Sequence, residues 1–418
     1  LLRSMDQQGY AREDEWAPGQ STFPPVHKKS YLPLKMKGEK NKIDQILERI
    51  NGSGEINEEQ IIILLNSRGL EFERVCEFAN KLRKKVSGEE VTYAVNRNIN
   101  YTNVCYFRCG FCAFSKGKMS ENLRGKPYNL ELDEIVSRAR EAWDRGASEV
   151  CLQGGIHPSY TGETYLQICK AIHEAVPRIH IHAFSPLEVS QGASTLGLSV
   201  PEFLEKLRDS GLGTLPGTAA EVLDDEVRNI ICPDKLSTQE WLSVMRDAHE
   251  VGFRTTATIM FGHLEAPYHV ARHLLRIRDL QKETGGFTEF VPLPFVHMEA
   301  PIYLKGKSRM GPTFREAVLI HAVARIVLNP FIQNIQTSWV KMGPEGVKAC
   351  LDAGANDLGG TLMNESITRA AGTVHGQEML PERMEALIRQ TGRIPRQRDT
   401  LYRIPDPIQN SKSYGNQL

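Results

Sequence analysis

The sequence contains no run of about eighteen apolar residues, the length a helix needs to cross a bilayer, and its first residues lack the apolar core of a signal peptide. It also carries no net charge: 51 basic side chains balance 51 acidic ones over 418 residues. A dedicated nucleic-acid surface shows as a basic excess, so neither nucleic acid nor membrane is the expected partner, and small molecules are. A disulfide framework is missing as well. Three of the eight cysteines form one tight cluster, and the other five are scattered at 76, 151, 169, 232 and 350. That odd remainder, beside a thiolate motif, points to a reducing, cytoplasmic setting. No internal repeat suggests a solenoid. The chain opens without a methionine, so a trimmed chain and a fragment of a longer fused polypeptide are both open expectations.

What is present falls into four parts. Residues 1–40 are polar and broken by Pro18, Pro24, Pro25 and Pro33, which reads as a tail or linker. Residues 41–90 hold three apolar-periodic segments separated by Gly52, Gly54 and Gly69, a small helical N-terminal cap. From 91 to 402 short β-rich runs alternate with longer runs of 3.6-residue period. Strands are expected at 91–100, 149–153, 179–184, 212–215, 255–261, 287–291, 335–340 and 355–358. Ser237-Thr-Gln-Glu240 and Thr313-Phe-Arg-Glu316 are capping boxes that open two of the intervening helices. Eight such alternations read as an α/β fold, a (β/α)8 TIM-type barrel, with 403–418 as a C-terminal tail. In such a barrel the loops after the strands open on one face, where chemistry collects.

The first of those loops carries Asn103-Val-Cys-Tyr-Phe-Arg-Cys-Gly-Phe-Cys-Ala-Phe114, a C-x3-C-x2-C run of Cys105, Cys109 and Cys112. A closed structural zinc site needs a fourth Cys or His, and none lies nearby. A 4Fe-4S cluster held by three thiolates keeps one iron free of protein ligand, so the spacing favours a working cluster; zinc and a chance group of core thiols are the alternatives.

In this setting, with Phe111 just before the last cysteine, the motif resembles the radical S-adenosylmethionine superfamily. The resemblance implies that the free iron chelates the amino and carboxylate groups of S-adenosylmethionine and donates the electron that cleaves it to methionine and a 5'-deoxyadenosyl radical. It also implies a glycine pair for the methionine amine, here Gly154 and Gly155, although Ile156 stands where an acid is common. The stretch Thr258-Ile-Met-Phe-Gly-His-Leu-Glu265, with Thr258 and Gly262, looks like the adenine-contacting strand, and Glu188, Glu221 and Arg228 are the candidates for ribose and carboxylate.

Longer stretches are more specific: Gln153-Gly-Gly-Ile-His-Pro158, His182-Ala-Phe-Ser-Pro186, Gly217-Thr-Ala-Ala-Glu221, Phe290-Val-Pro-Leu-Pro-Phe295, Gln336-Thr-Ser-Trp-Val340 and Asn356-Asp-Leu-Gly-Gly-Thr-Leu-Met-Asn-Glu-Ser366. Together they resemble the 4-hydroxybenzyl transferase components of deazaflavin (FO) synthase, over about residues 40 to 402. That family resemblance implies that L-tyrosine gives up its side chain as a 4-hydroxybenzyl radical, which adds to 5-amino-6-(D-ribitylamino)uracil. 2-Iminoacetate, methionine and 5'-deoxyadenosine would be released. It further implies an electron donor and, as functional partner, the second radical activity of FO synthase, which closes the ring. A single C-x3-C-x2-C limits this chain to one of the two activities.

Such chemistry needs a dry enclosure, for which Phe290, Phe295 and Trp339 are candidate walls, and polar groups for two substrates at the mouth, for which His157, Ser338, Asn364, Glu365 and Ser366 are candidates. For each of these a loop-ordering hydrogen bond is the plain alternative. His182 is expected to be a satisfied interior histidine, the histidines at 263, 269 and 273 are not expected to be ligands, and Lys116-Gly-Lys118 reads as a solvated loop edge or a rim facing substrate. A futalosine-type enzyme of menaquinone synthesis is the nearest rival reading, and a noncatalytic zinc protein the rival of another class.

Overall fold

In the computed structural model, which describes residues 2–22, 41–52, 54–116 and 126–415, the run 90–99 is the strand on which the barrel closes. It breaks at Val95 into β1 (Glu90–Ala94) and β2 (Asn96–Ile99). From β2 a parallel sheet proceeds in chain order through β3 (Glu149–Leu152), β4 (His180–His182), β5 (Thr214–Leu215), β6 (Arg254–Phe261) and β7 (Phe287–Pro294). The ring continues through single parallel bridges, Phe290 to Ile335 and Gln336 to Asp357, into β8 (Asp357–Gly360). β8 pairs with β1, and Met363 beyond it bridges Arg97. The eightfold alternation expected from the sequence is therefore present. Its seventh strand shrinks to two bridged residues, because a helix has already begun at Trp339.

The break at Val95 exists because the two halves of this strand serve different neighbours. β2 pairs with β3, whereas β1 pairs on that side with an unanticipated strand, β9 (Ile394–Arg398). β9 thus lies beneath β3 at the N-terminal end of the barrel. The chain then delivers Arg398 inward, where its guanidinium grips Asp357 at 2.7 and 2.9 Å. Thr400 closes on Glu149 at 2.6 Å.

Helices α1 (Lys42–Asn51), α2 (Glu58–Leu65) and α3 (Leu70–Ser87) precede the barrel. The crossovers are α4 (Leu132–Asp144), α5 (Gly162–Ala175), α6 (Pro186–Leu196), α7 (Val200–Asp209), α8 (Asp225–Ile231), α9 (Thr238–Val251), α10 (Pro267–Thr284), the short α11 (Pro301–Leu304), α12 (Phe314–Leu328) and α13 (Trp339–Asp352). Both capping boxes form, with Ser237 and Thr313 accepting from the backbone N–H of Glu240 and Glu316. α12 is buried along its whole length because α2 and α3 pack on the face that an outer barrel helix would otherwise expose to water. That accounts for its apolar residues on every side.

Two stretches read as tails are docked instead. Trp16 is 2% exposed, with its ring edge-on to Phe314, and Asp6 pairs with Arg68 and with Arg315. These few apolar and charged anchors were masked by the polar composition around them. The proline-rich residues 23–40 lie outside the described residues. At the other end a helix, Pro407–Lys412, is tied down by the Gln409 amide, which donates to Trp143 O and Ala147 O.

Candidate active site

The strand periodicity puts alternate side chains inside the barrel. Thus Asn96 and Asn98 of β2 stand beside Glu149 and Cys151 of β3, and Thr256 and Thr258 of β6 stand beside Glu289 and Val291 of β7. These side chains line a cavity of about 410 Å³ whose upper wall is the cysteine loop, a size suited to small organic ligands.

The loop is held from several sides. Lys116 N–H donates to Asn103 O at 2.7 Å and Cys105 N–H to Lys116 O at 3.3 Å, which close its base. Its tip is pinned where Gly110 N–H donates to Ile231 O at 2.8 Å and Ile302 N–H donates to Gly110 O at 2.7 Å. Cys105, Cys109 and Cys112 are free thiols, and all three line the cavity. Burial pushes Cys109 up to about 12, against the pull of nearby Lys235, and raises Cys112, with the Ser115 N–H and Lys235 opposing.

The set of donors suits a cluster better than a single ion. A zinc ion about 2.3 Å from each sulfur would draw the sulfurs to about 3.8 Å from one another. Among the described residues the trio of ligand atoms gathered within 4.8 Å is Asp224, Glu226 and His269, not the cysteines. That acidic trio is already charge-balanced by Arg276 at 3.2 Å and Arg272 at 3.4 Å from Asp224. His263 and His273 are likewise occupied, the former with Met260 O and the latter accepting from Leu223 N–H.

The glycine pair after β3 fits against this loop with no room to spare. A Cβ on Gly155 would lie 2.3 Å from Val104 O and 2.9 Å from Cys105 Cβ, and one on Gly154 would strike the Tyr101 ring at 2.3 Å. Tyr101 donates a short hydrogen bond to Glu188, whose other oxygen accepts from Ser185 N–H at 2.7 Å as the capping box of α6. Burial raises Glu188, and the Ser185 and Tyr101 hydroxyls pull the other way.

Opposite, Lys235 Nζ donates to Glu221 Oε1 at 2.9 Å and lies 5.2 Å from the Phe111 ring centre. Burial works against its charge, but Glu221, Cys109 and Cys232 more than offset this and hold the ammonium well above its usual range. Thr258 donates to Gly217 O at 2.6 Å.

Phe111, Gly154, Gly155, Glu188, Glu221, Thr258, Ser338 and Glu365 therefore share one cavity with the three cysteines. Five other candidates do not line it. The Arg228 guanidinium is spent on Ala219, Ala220 and Leu236 carbonyls, which shapes the loop after β5 from behind. Gly262 makes a turn with φ of 96°, and its N–H donates to Glu265 at 2.6 Å. His157 pairs with the Ser159 hydroxyl, Asn364 is exposed at a positive-φ turn, and Ser366 donates to Asn100 Oδ1 at 2.7 Å.

Of the expected walls, Trp339 lines the cavity and donates to Gly360 O, while Phe290 and Phe295 are buried behind it. His182 is an interior residue satisfied by Thr214 at 2.7 Å, and burial pushes it down to about 4 against the pull of Glu149. Lys116 is buried rather than solvated; residues 117 and 118 lie outside the described residues.

Sequence reading missed Lys235, Glu289, Lys341 and Arg398, which all line the cavity. Glu289 had a legible signal, an acid in the middle of an otherwise apolar strand. Burial pushes it up to about 7, with Arg398 opposing and Asp357 adding to the rise.

A barrel with a three-cysteine loop after its first strand, pressed against a glycine pair after its next, is the arrangement of a radical S-adenosylmethionine protein, and residues 99–275 match the radical SAM superfamily. Residues 284–411 match the CofH/MqnC C-terminal region. The 5-amino-6-(D-ribitylamino)uracil--L-tyrosine 4-hydroxyphenyl transferase of Methanocaldococcus jannaschii is 47% identical over 353 residues, 84% of this chain and 97% of that one. The chain belongs to that protein's family within the radical SAM superfamily. The FO synthase of Streptomyces coelicolor is 47% identical over 347 residues, but the chain spans only 40% of its length, and likewise 40% of the Mycobacterium leprae FO synthase. Among solved structures, HydG from Carboxydothermus hydrogenoformans (TM-score 0.66, 16% identity, covering 90% of this chain and 88% of its own) and methylornithine synthase (0.64, 17%, covering 84% and 97%) share the fold.

Proposed function

We propose that the chain is a radical S-adenosylmethionine transferase of deazaflavin synthesis. It would move the 4-hydroxybenzyl group of L-tyrosine to 5-amino-6-(D-ribitylamino)uracil and release 2-iminoacetate, methionine and 5'-deoxyadenosine. The observation that carries this reading is the convergence of Cys105, Cys109 and Cys112 with Gly154 and Gly155 on one cavity, in a chain 47% identical to a named 4-hydroxyphenyl transferase.

Cys105, Cys109 and Cys112 hold a 4Fe-4S cluster, and Lys235 offsets the negative charge that their thiolates bring into a buried wall. When bound, the cluster supplies the one-electron chemistry that divides S-adenosylmethionine. Gly154 and Gly155 give that cofactor a backbone surface to lie on, with Phe111, Glu188, Glu221 and Thr258 around it. Arg228 and Gly262 support this wall by fixing the loops after β5 and β6. Ser338 and Glu365 face the substrates, and Trp339 keeps water from the reacting carbon. His157, Asn364 and Ser366 order the loops around the mouth. The partners are an electron donor and the second radical activity of FO synthase, which takes up the adduct, and the setting is the cytoplasm. Among the described residues no helix is long and apolar enough to cross a membrane.

Anaerobic reconstitution tests the metal assignment. The protein should take up four irons and four sulfides per chain, showing the broad visible absorbance of a cluster, and Cys109→Ala should lose it. Stoichiometric zinc without iron would end the radical reading.

A further inference from the structure

Among the described residues three cationic side chains line the cavity, and two of them are spent. Lys235 is bonded to Glu221 at 2.9 Å, and Arg398 to Asp357 at 2.7 and 2.9 Å. The third, Lys341, has no hydrogen-bond acceptor and no ion-pair partner among the described residues. Its backbone is nonetheless fixed, since its N–H donates to Ser338 O at 3.2 Å and its carbonyl accepts from Gly19 N–H at 2.7 Å. Glu365 lines the same cavity, 4% exposed, with Oε1 accepting from Thr368 N–H at 2.7 Å and Oε2 from Arg369 N–H at 3.3 Å. Each carboxylate oxygen keeps a further lone pair for a ligand.

Lys341 and Glu365 both line the cavity and form no ion pair, so ammonium and carboxylate stand more than 4.0 Å apart. Opposite charges left free to meet inside a cavity normally close on each other. Two opposite charges held apart in one cavity match a ligand that carries both charges on groups attached to a single carbon. The head of an α-amino acid is such a ligand. A uracil with a ribityl chain is uncharged and has no use for the pair.

We infer that Lys341 and Glu365 read the zwitterionic head of the amino-acid substrate, Lys341 taking the carboxylate and Glu365 the α-ammonium. The inference rests on the tyrosine reading of the site given above. It puts the amino-acid head at the β7–β8 side of the barrel. The Ser366–Asn100 bond at 2.7 Å ties that side to the run leading into the cysteine loop.

The test uses reconstituted full-length protein with S-adenosylmethionine present and measures equilibrium binding of three ligands: tyrosine, tyramine, which lacks the carboxylate, and 3-(4-hydroxyphenyl)propionate, which lacks the ammonium. Lys341→Met should weaken tyrosine about 10- to 100-fold, the loss of one charge-assisted hydrogen bond. It should leave tyramine unchanged, because the group Lys341 would hold is already gone. Glu365→Gln should weaken tyrosine and tyramine and leave the propionate unchanged. Lys341→Arg should recover most of the tyrosine affinity, which separates lost contact from lost fold. KM for the diaminouracil and affinity for S-adenosylmethionine should stay within about twofold in all three variants.

If Lys341→Met binds tyrosine like the wild type while the wild type converts tyrosine, the head-group inference is overturned and the transferase reading stands. If S-adenosylmethionine affinity falls instead of tyrosine affinity, the pair reads the cofactor and the inference is likewise overturned. A wild-type protein that binds no amino acid overturns both readings.

Discussion

Replacing Gly155 by Ala tests whether the glycine pair and the cysteine loop form one unit. The added Cβ would lie 2.3 Å from Val104 O, whereas ordinary contact begins at 3.4 Å, so loop and strand end must part by about 1.1 Å (3.4 − 2.3). The three atoms nearest it, Val104 O, Val104 C and Cys105 Cβ, belong to the loop that carries the thiols and cannot swing aside as the far end of a flexible side chain would. Gly155 is not among the glycines with positive φ, so the backbone accepts Ala and the whole effect is steric. Overpacking of this kind costs about 1–3 kcal/mol, too little to unfold a protein of this size. A shift of about 1 Å at a reacting centre, however, costs on the order of 100-fold in rate. Gly110→Ala provides the comparison inside the same loop, because its Cβ would meet Ile302 at 3.5 Å and Ile231 O at 3.6 Å, both ordinary contacts. The assay is the rate of 5'-deoxyadenosine formation by anaerobically reconstituted protein, with iron content and thermal melting measured alongside. Gly155→Ala should keep its fold and lose about two orders of magnitude in cleavage, and Gly110→Ala should lose far less. Equal rates for Gly155→Ala and wild type would refute the tight coupling of pair and loop.

Other expectations follow from the buried charges. Burial pushes the Lys341 ammonium down to about 8 against Glu365, the charged group acting on it, so kcat/KM for tyrosine should fall as pH rises past 8. In Lys341→Arg, which stays charged, that part of the fall should vanish from the pH profile, and identical profiles would contradict it. Arg398→Met leaves Asp357 buried without its cation, a loss of about 3–5 kcal/mol that should lower the melting temperature by several degrees at pH 7; an unchanged melting curve would show the barrel floor to be unstrained by the charge. Burial pushes His182 and His321 down to about 4, so the unfolded chain binds their protons first as pH falls. Their neutral-state stability is present in full above about pH 6.5 and lost progressively toward 4, at about 3 kcal/mol for each fully buried ring. Unfolding in urea at pH 8, 6.5 and 5 should show that decline, with His321→Gln flattening it; a flat series in the wild type would count against it.

The barrel was legible because strand and helix periods differ and because caps such as Ser237 and Thr313 mark helix starts. The seventh strand was overextended, since 335–340 looks continuous in β propensity while Ser338 turns the chain into α13. β9 escaped because Ile394-Pro-Arg-Gln-Arg398 has little apolar alternation, and its arginines are justified only by acids brought from distant strands. The same limit applies to the cavity. The cysteines and glycines announce themselves by local spacing, but Lys235 and Arg398 gain meaning only from Glu221 and Asp357, and Lys341 only from the cavity that the fold builds around it. Arg228 and His157 misled for the converse reason: polar residues near a mouth satisfy loop carbonyls and hydroxyls as readily as they face a ligand.

The proposed transfer from tyrosine to a diaminouracil depends on a cluster held by the thiols at 105, 109 and 112. The direct measurement is the product formed by anaerobically reconstituted protein given a reductant, S-adenosylmethionine, L-tyrosine and 5-amino-6-(D-ribitylamino)uracil, followed by mass spectrometry. A 4-hydroxybenzyl adduct of the diaminouracil, formed together with 5'-deoxyadenosine and abolished by Cys109→Ala, is the predicted result. Cleavage of S-adenosylmethionine without adduct, accompanied by turnover of an aminofutalosine-type compound, would contradict it.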